Sequence, residues 1–293
     1  RGVEDVASAE GFSVILCNTD ESEDKEHSYV RVLLQKQVDG FLLVPANRAS
    51  RSVSLIRKQQ VPLVVLDRTV PAPVDMVKSD SVQGAYDLTQ HLLSMGHRQI
   101  AILSGPRGVS TAMDRVRGYR RALLGAQDGA EQSCSMNDVA ISQADLDKPV
   151  DHEIVIYGEY TRDGGYTMMR ELLTRQPRPT AVFAANNFIA IGAFRALREA
   201  NLKVPEDMAL VAFDDLPLAF MLEPFLTVAA QPVYEMGKRA AQLLLQRLAK
   251  DEPGPPQEIL LPVEIVVRRS SGLHKESQIH KHKQTSTIKE DAR

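Results

Sequence analysis

An arginine close to the start of a predicted helix is the first feature of this sequence that suggests chemistry. In the stretch LSGPRGVSTAMDRVRGYRRAL (103–123), a Gly-Pro break separates an apolar strand end from a helix that carries Arg115 in or near its first turn. The helix dipole disfavours a cation there. Thr111 and Asp114 have the spacing of a capping box, which would place Arg115 beside the backbone N–H groups of the helix start. A guanidinium can grip two hydroxyl groups or a carboxylate, so we interpret Arg115 as a ligand-binding residue at the mouth of a cleft.

Almost all of the residues that end the apolar runs typical of strands are small and polar, or aromatic. The positions are Asn18, Pro45, Asp67, Tyr160, Asn186, Asn187, Asp214 and Asp215. Ligands of open parallel sheets bind beyond the carboxyl ends of the strands. Carboxylates and amides exchange hydrogen bonds with hydroxyl groups, and an aromatic ring offers a flat apolar face, so the set fits a small sugar, another polyol or a purine. For any single position, the alternative is that Asp or Asn caps the next helix.

Motifs of the common enzyme and metal sites are absent from the sequence. It has no P-loop, no Gly-rich dinucleotide loop after a strand, no HExxH and no GxSxG. The seven histidines are scattered, and we interpret His280 and His282 as part of a solvated tail rather than as metal ligands. We therefore expect a binding protein without catalytic residues, metal or cofactor, and keep an enzyme as an alternative.

Charge and composition argue against several classes of protein. The chain has 35 Lys and Arg against 38 Asp and Glu, a net charge of −3, so the whole chain offers no basic footprint for nucleic acid. No apolar run approaches the ~20 residues that span a bilayer, and the charged start RGVEDVASAEGF is unlike a secretory signal. Two cysteines, Cys17 and Cys134, are too few for a disulfide framework. We expect a cytoplasmic protein that does not contact a membrane.

Short apolar runs alternate with helical patterns along the chain. The predicted strands are 12–18, 40–46, 62–67, 99–105, 153–160, 181–186 and 209–214; the predicted helices are 82–95, 188–200 and 232–249; a strand pair split by Pro262 follows at 258–271. Continuous apolar runs are typical of strands that are covered on both faces. Their alternation with helices predicts an α/β fold with two doubly wound parallel-sheet lobes. We interpret 127–148 as a surface insertion and 273–293 as a disordered charged tail.

Several segments resemble the LacI/GalR family of transcriptional regulators, the lactose and purine repressor family. They are RGVEDVASAEGFSVILCNTDE (1–21), DGFLLVPA (39–46), GHRQIAILSGP (96–106), RVRGYRRAL (115–123), PTAVFAANNFIAIGAFRALREANLKVPEDMALVAFDD (179–215) and PFLTVAAQP (224–232). The resemblance runs from residue 1 to about residue 271 in the right order and spacing. The family shares its core with type I periplasmic sugar-binding proteins, so the resemblance implies two lobes joined by several crossovers, with a ligand cleft between them.

Lobe boundaries and binding residues also follow from the resemblance. The first lobe would comprise 1–81 plus 232–262, and the second 82–231 plus 263–272. The family's effector-contacting positions fall on Asp67, Thr111, Arg115, Tyr160, Asn186, Asp214 and Gln231, with Asp80 as a weaker addition. The resemblance implies that Arg115 and Asp214 would grip ring hydroxyls while Tyr160 flanks the ring.

Two departures from the family pattern stand out. The N-terminal helix-turn-helix, the hinge helix and a first strand of the type IGVIVPD are absent, so we interpret the chain as N-terminally truncated, with a gap in the first lobe. Asn187 stands where the family usually has Asp, which keeps the size of the side chain and removes its charge.

The function implied by the resemblance is allosteric control of transcription. A small effector, a sugar or a purine-like molecule, would bind to a homodimer and alter operator binding, with DNA contacted only through the missing helix-turn-helix. The alternative is a stand-alone sugar-binding protein of a transport system.

Overall fold

Parallel strands and α-helices alternate along the chain. A computed structural model of the protein describes residues 1–127, 146–216, 224–249 and 254–272. The helices are α1 Gly2–Ala9, α2 Glu23–Gln35, α3 Arg51–Lys58, α4 Ser81–Ser94, α5 Ser110–Gln127, α6 Arg162–Leu173, α7 Asn187–Glu199 and α8 Val233–Leu248. The strands are β1 Phe41–Leu43, β2 Leu63–Leu66, β3 Asp75–Ser79, β4 Ile100–Ser104, β5 Ile154–Tyr157, β6 Ala181–Ala184, β7 Ala209–Phe213, β8 Thr227–Ala230, β9 Glu258–Leu261 and β10 Glu264–Val266.

Within these described ranges the strands form two sheets. One has four strands in the order β1-β2-β3-β9, and the other has six in the order β10-β8-β7-β6-β4-β5. The pairs of the first sheet are parallel, as are β8-β7, β7-β6, β6-β4 and β4-β5 in the second. The predicted α/β fold class with parallel sheets is confirmed.

The chain divides into two compact units, which we call unit 1 and unit 2. Unit 1 comprises Arg1–Ser81, Arg107–Asp114 and Gln231–Glu264. Unit 2 comprises Val82–Pro106, Arg115–Ala230 and the residues from Ile265 onward. The lobe boundaries implied by the resemblance stay a prediction. The predicted tail 273–293 and most of the predicted insertion 127–148 lie outside the described residues.

The core of unit 2 depends on two helices that pack very closely. A Cβ atom added at Gly192 of α7 would lie 1.9 Å from the carbonyl oxygen of Arg162 at the start of α6. Since no side chain fits in that space, the glycine allows the two helices to approach at backbone distance. Fully buried Met169, Leu172 and Ala193 then complete the contact with the sheet.

In unit 1, helix α8 lies against the sheet and a buried ion pair fixes its end. The Arg247 guanidinium donates to both carboxylate oxygens of Asp75 at 2.7 Å. Asp75 begins β3, and its carboxylate also accepts the Gln257 N–H, just before β9, at 2.8 Å. Both charged side chains are buried, and the several hydrogen bonds compensate for their loss of water.

The prediction of a strand at 12–18 is wrong. No backbone–backbone hydrogen bond joins residues 13–17 to any other described residue, and Leu16 is 91% exposed. The apolar run has the composition of a strand, but a strand forms only beside a partner that takes its backbone hydrogen bonds. Strand β1 is at the edge of its sheet, and no described strand lies on its outer side.

Other elements differ less from the predictions. Strands β3 and β8 and helices α2, α3 and α6 were not among the predicted elements. The predicted strand pair at 258–271 is present as β9 and β10, but these strands belong to different sheets and residues 269–271 form a 3₁₀ turn. The remaining predicted strands are present and are as a rule a few residues shorter than the apolar runs.

Candidate functional site

Arg115 is a buried cation in the second turn of α5. The helix begins at Ser110, so Thr111 lies inside it and the predicted capping box is wrong. Arg115 is only 3% exposed. Its Nη1 donates to the carbonyl oxygen of Ala185 at 2.5 Å. The guanidinium carbon lies 3.9 Å from the centroid of the Phe213 ring, which is fully buried.

The environment of Arg115 compensates its charge. A desolvated guanidinium over an aromatic ring gains about 2 kcal/mol from the ring quadrupole. The Asp214 carboxylate lies beside it, with Oδ2 at 3.7 Å from Nη1 of Arg115. A buried charge persists only where such partners repay its lost hydration. Arg115 and Asp214 thus lie side by side within unit 2.

A left-handed turn places Asp214 at the carboxyl end of β7. Its φ is +67°, and its N–H donates to the carbonyl oxygen of Ala229 on the neighbouring strand at 2.9 Å. Asp tolerates this backbone region better than most residues. Asp67 in unit 1 has the same arrangement, with φ +60° and an N–H that donates to the carbonyl oxygen of Val77 at 2.9 Å. In each unit, an aspartate thus turns away from the end of a parallel strand with its backbone still tied to the sheet.

Tyr160 and Asn186 follow β5 and β6, two other strands of the six-stranded sheet that contains β7. The Asn186 side chain caps α7 by accepting a hydrogen bond from the Ile189 N–H at 2.8 Å. The alternative role considered for Asp and Asn at strand ends, capping of the next helix, therefore applies to this residue. The Tyr160 ring packs on Gly105: a Cβ there would lie 2.4 Å from its Cζ. Only glycine at 105 leaves this place for the ring.

Four of the predicted site residues thus belong to unit 2. They are Arg115, Tyr160, Asn186 and Asp214. Three of them follow the carboxyl ends of β5, β6 and β7, and Arg115 contacts the loops after β6 and β7. We call these four residues the unit 2 cluster.

The remaining three predicted residues, Asp67, Thr111 and Gln231, belong to unit 1. Thr111 is buried, and Gln231 accepts a hydrogen bond from the Ser79 hydroxyl. Oδ1 of Asp67 is buried and has no hydrogen-bond partner among the described residues. Such an oxygen is costly unless a ligand or water satisfies it. The weaker candidate Asp80 uses its N–H to bond the carbonyl oxygen of Leu261 at 2.8 Å.

Sequence reasoning missed Arg68, which organises the loops of unit 1. This buried guanidinium donates to Glu21 at 2.9 and 3.1 Å and to the carbonyl oxygen of Pro45 at 3.4 Å. It also lies 3.4 Å from the carboxylate of Asp67. Its main partner is 47 residues away in the chain, so no local motif marks the pair. The only available signal was its position next to a predicted binding residue.

Neither a metal centre nor a membrane span is found in the part of the chain that the structure describes. No three His, Cys, Asp or Glu side chains are grouped closely enough to hold a metal ion there. None of the described helices combines the length and apolar character that crossing a bilayer requires.

Comparison with known proteins adds independent information. A family model described as a periplasmic binding protein-like domain matches residues 89–271. A ribose operon repressor from Halalkalibacterium halodurans is 33% identical over 271 residues, which covers 92% of this chain and 74% of the relative. The structure of a LacI family transcriptional regulator from Enterococcus faecium with bound ribose has 31% identity and a TM-score of 0.75, covering 92% of this chain and 91% of that one. A complex of the transcriptional regulator CelR with cellobiose has 32% identity and a TM-score of 0.77, covering 92% and 76%.

Proposed function

Because the chain belongs to the LacI/GalR family of transcriptional regulators, we propose that it binds a small sugar and that this binding controls a transcriptional output. The family resemblance predicted from the sequence segments is thereby confirmed. The relatives compared above are regulators of transcription, so a binding role is favoured over catalysis and over sugar delivery to a transporter.

One observation carries the proposal: a buried guanidinium and a carboxylate lie side by side at the ends of parallel strands. Arg115 supplies only hydrogen-bond donors and Asp214 only acceptors, and their nearest charged atoms are 3.7 Å apart. Neighbouring hydroxyl groups of a sugar ring can each accept from the first and donate to the second. Charge-assisted hydrogen bonds of this kind are about twice as strong as neutral ones.

Sugars are favoured over purines as the effector. The structures of the two regulators compared above contain ribose in one and cellobiose in the other. Tyr160 adds an aromatic face beside the unit 2 cluster, and apolar faces of sugar rings pack well on such surfaces. We propose Asp67, Thr111 and Gln231 as further effector contacts.

The proposal extends to assembly and location. We propose that the regulator acts as a homodimer in the cytoplasm and reaches operator DNA through a helix-turn-helix of the type that the family resemblance implies. Family membership is the support for each of these statements.

Thermal shift with a panel of ligands tests the binding proposal. D-ribose, cellobiose and hypoxanthine are each added to the protein; a ligand present at 100 times its Kd raises the free energy of unfolding by about 2.7 kcal/mol. We expect a sugar to raise the melting temperature and Asp214→Asn to abolish the rise. Asp207→Asn is the matched control, since this exposed residue precedes β7 at the opposite end from Asp214.

Two results would argue against the proposal. If hypoxanthine is the one ligand of the three that raises the melting temperature, the effector is a purine and not a sugar. Conversion of a bound sugar into product, followed by NMR, would indicate an enzyme.

A further inference from the structure

The carboxylates among the proposed effector contacts need hydrogen-bond donors from the ligand. Oδ1 of Asp67 is buried and accepts from no described residue. The ionised carboxylate of Asp214 is likewise an acceptor without a proton to give. A sugar hydroxyl group can donate to a carboxylate, whereas a phosphate group at neutral pH brings three acceptor oxygens and a negative charge. Both carboxylates therefore favour a hydroxyl group over a phosphate group.

The guanidinium group of the unit 2 cluster already has partners within the protein. Nη1 of Arg115 donates to the carbonyl oxygen of Ala185 at 2.5 Å, and the Asp214 carboxylate lies 3.7 Å from the same nitrogen. A guanidinium group binds phosphate best through two parallel N–H bonds. Since one nitrogen serves a backbone carbonyl group and the charge is balanced by a carboxylate, Arg115 attracts a phosphate group only weakly.

In unit 1, the buried guanidinium group next to Asp67 has an even fuller set of partners. Nη2 of Arg68 donates to both carboxylate oxygens of Glu21, at 2.9 and 3.1 Å. Its Nη1 donates to the carbonyl oxygen of Pro45, and its Nε to the Asp67 carboxylate, each at 3.4 Å. A phosphate group would have to displace Glu21 before it could bind this guanidinium group.

Helix α7, which starts directly after Asn186, is capped by that side chain. A helix start is a common binding place for phosphate groups, because its first backbone N–H groups have no partner within the helix. Here the Asn186 side chain accepts from the Ile189 N–H at 2.8 Å. The cap therefore occupies one of the donors that a phosphate group would use.

We propose that the effector is a neutral, unphosphorylated sugar and that the binding residues exclude its phosphate esters. This inference rests on the proposed sugar-binding function. Two guanidinium groups stand against three carboxylates among these side chains, namely Arg68 and Arg115 against Glu21, Asp67 and Asp214. The excess negative charge repels a phosphate monoester, which carries a charge of about −1.5 to −2 at pH 7.

The inference places the effector before phosphorylation in a reaction sequence. In a sugar kinase reaction, a sugar hydroxyl group loses its proton, its oxygen bonds the terminal phosphoryl group of a nucleoside triphosphate, and a nucleoside diphosphate leaves. That reaction would consume the effector, so the regulator would respond to sugar that has not yet been phosphorylated.

Calorimetric titration with D-ribose, D-ribose 5-phosphate and 5-O-methyl-D-ribose tests the inference. The methyl ether carries a substituent at the same oxygen as the ester and, like the ester, cannot close into a six-membered ring, but it is uncharged. We expect the ester to bind at least about tenfold more weakly than the methyl ether. Raising the ionic strength from about 0.02 M to about 0.5 M should narrow this difference, because salt screens charge repulsion.

The substitution Glu21→Gln tests the charge argument within the protein. It removes the excess negative charge, and the remaining amide oxygen can still accept from Arg68. The ratio of the affinity for the methyl ether to that for the ester should fall at least about threefold. Glu10→Gln removes the same charge at an exposed site directly after α1 and should leave the ratio unchanged.

Equal or tighter binding of the ester than of the methyl ether would overturn the inference, while binding of D-ribose would still support the proposed function. Rejection of both substituted sugars would overturn it too, because size and not charge would then exclude the ester. An affinity ratio that does not respond to Glu21→Gln would have the same meaning. Absence of binding by all three compounds would contradict the proposed function for ribose, and the inference with it.

Discussion

At the scale of single residues, the candidate site depends on space as much as on charge. Tyr160 packs over Gly105 because that residue has no Cβ atom. Arg115 and Asp214 were predicted to be ligand-binding residues from their positions in the sequence. In the structure, Nη1 of Arg115 lies 3.7 Å from Oδ2 of Asp214. Phe213 and Arg268 could not be identified in this way, since their roles come from contacts between residues distant in the chain.

Gly105→Ala should weaken sugar binding. The new methyl group would lie 2.4 Å from a ring atom of Tyr160, so the ring must move. We expect the free energy of sugar binding to weaken by about 1–2 kcal/mol, because the substitution misplaces the contact with the ring without removing it. Isothermal titration calorimetry measures it, and Gly108→Ala is the control because nothing lies within 4 Å of its added Cβ. An unchanged affinity in Gly105→Ala would exclude Tyr160 from the binding surface.

Acid should remove the stabilising effect of the Asp215–Arg268 ion pair. Hydrogen bonding to Arg268 holds the pKa of the Asp215 carboxyl below its ordinary value of 3.8. The folded protein therefore keeps this carboxylate ionised to lower pH than the unfolded chain does. Its contribution is fully present above pH 3.8 and is lost as the pH falls through the lower pKa of the folded state.

The substitution Asp215→Asn tests this pH dependence. We expect it to cost about 1–2 kcal/mol of unfolding free energy at pH 7, because an ion pair with two hydrogen bonds is lost. Urea titrations from pH 7 to pH 3 should show this difference shrinking below about pH 4. Asp24→Asn removes a partner of Arg51 that is 93% exposed and should have little effect at any pH. A pH-independent loss in Asp215→Asn would contradict the ion-pair explanation.

At the scale of secondary-structure elements, apolar composition predicted most strands, and hydrogen-bond partnership decided which of them form. Segment 12–18 has the composition of a strand and is not one, because no described strand lies beside it. Strand β3, DMVKS, was not predicted, because only Met76 and Val77 of its five residues are apolar; the strand shows itself in the alternation of buried and half-buried residues. Helix α5 begins at Ser110, earlier than a capping box at Thr111 would place its start. Serine and threonine are both good capping residues, so the Ser-Thr pair at 110–111 does not fix the first residue of the helix.

Two glycine-to-alanine substitutions in helices should have opposite effects on stability. Gly192→Ala would place a methyl group 1.9 Å from the carbonyl oxygen of Arg162, so α6 and α7 would have to separate at a cost of several kcal/mol, about 2–4. Gly125→Ala in α5 would place the added Cβ at an ordinary contact distance, 3.9 Å from Nε2 of Gln90, and should gain about 0.5–1 kcal/mol through better helix propensity. Chemical denaturation of both variants gives the comparison. Equal effects would show that the close packing of α6 on α7 is not present in solution.

At the scale of the whole molecule, the apolar segment 12–16 is exposed at the surface. Ile15 and Leu16 are 62% and 91% exposed, and short apolar β-rich segments of this kind promote association between chains. The double substitution Ile15→Lys with Leu16→Lys should reduce concentration-dependent association, as measured by sedimentation velocity. It should change the free energy of unfolding by less than about 0.5 kcal/mol.

The control for this experiment is Val64→Lys in the fully buried centre of β2, which should unfold the protein. Strong destabilisation by the Ile15 and Leu16 changes would mean that these side chains are buried in solution, contrary to the structure.

Fold class and family could be predicted because they depend on patterns that extend over the whole chain. The alternation of apolar runs with helical patterns predicted parallel sheets, and segments between residues 1 and 232 carried the family resemblance. Side-chain contacts between loops, such as the hydrogen bond from Asn187 to Asp215, join residues that no sequence spacing relates. Such contacts become visible only after the strands have been placed side by side.

The most direct test of sugar binding by the unit 2 cluster is a crystal structure of the protein grown with the sugar that gives the largest thermal shift. We predict that hydroxyl groups of this sugar lie within hydrogen-bond distance of both the Arg115 guanidinium and the Asp214 carboxylate. A sugar bound with neither residue in contact would contradict the proposed site.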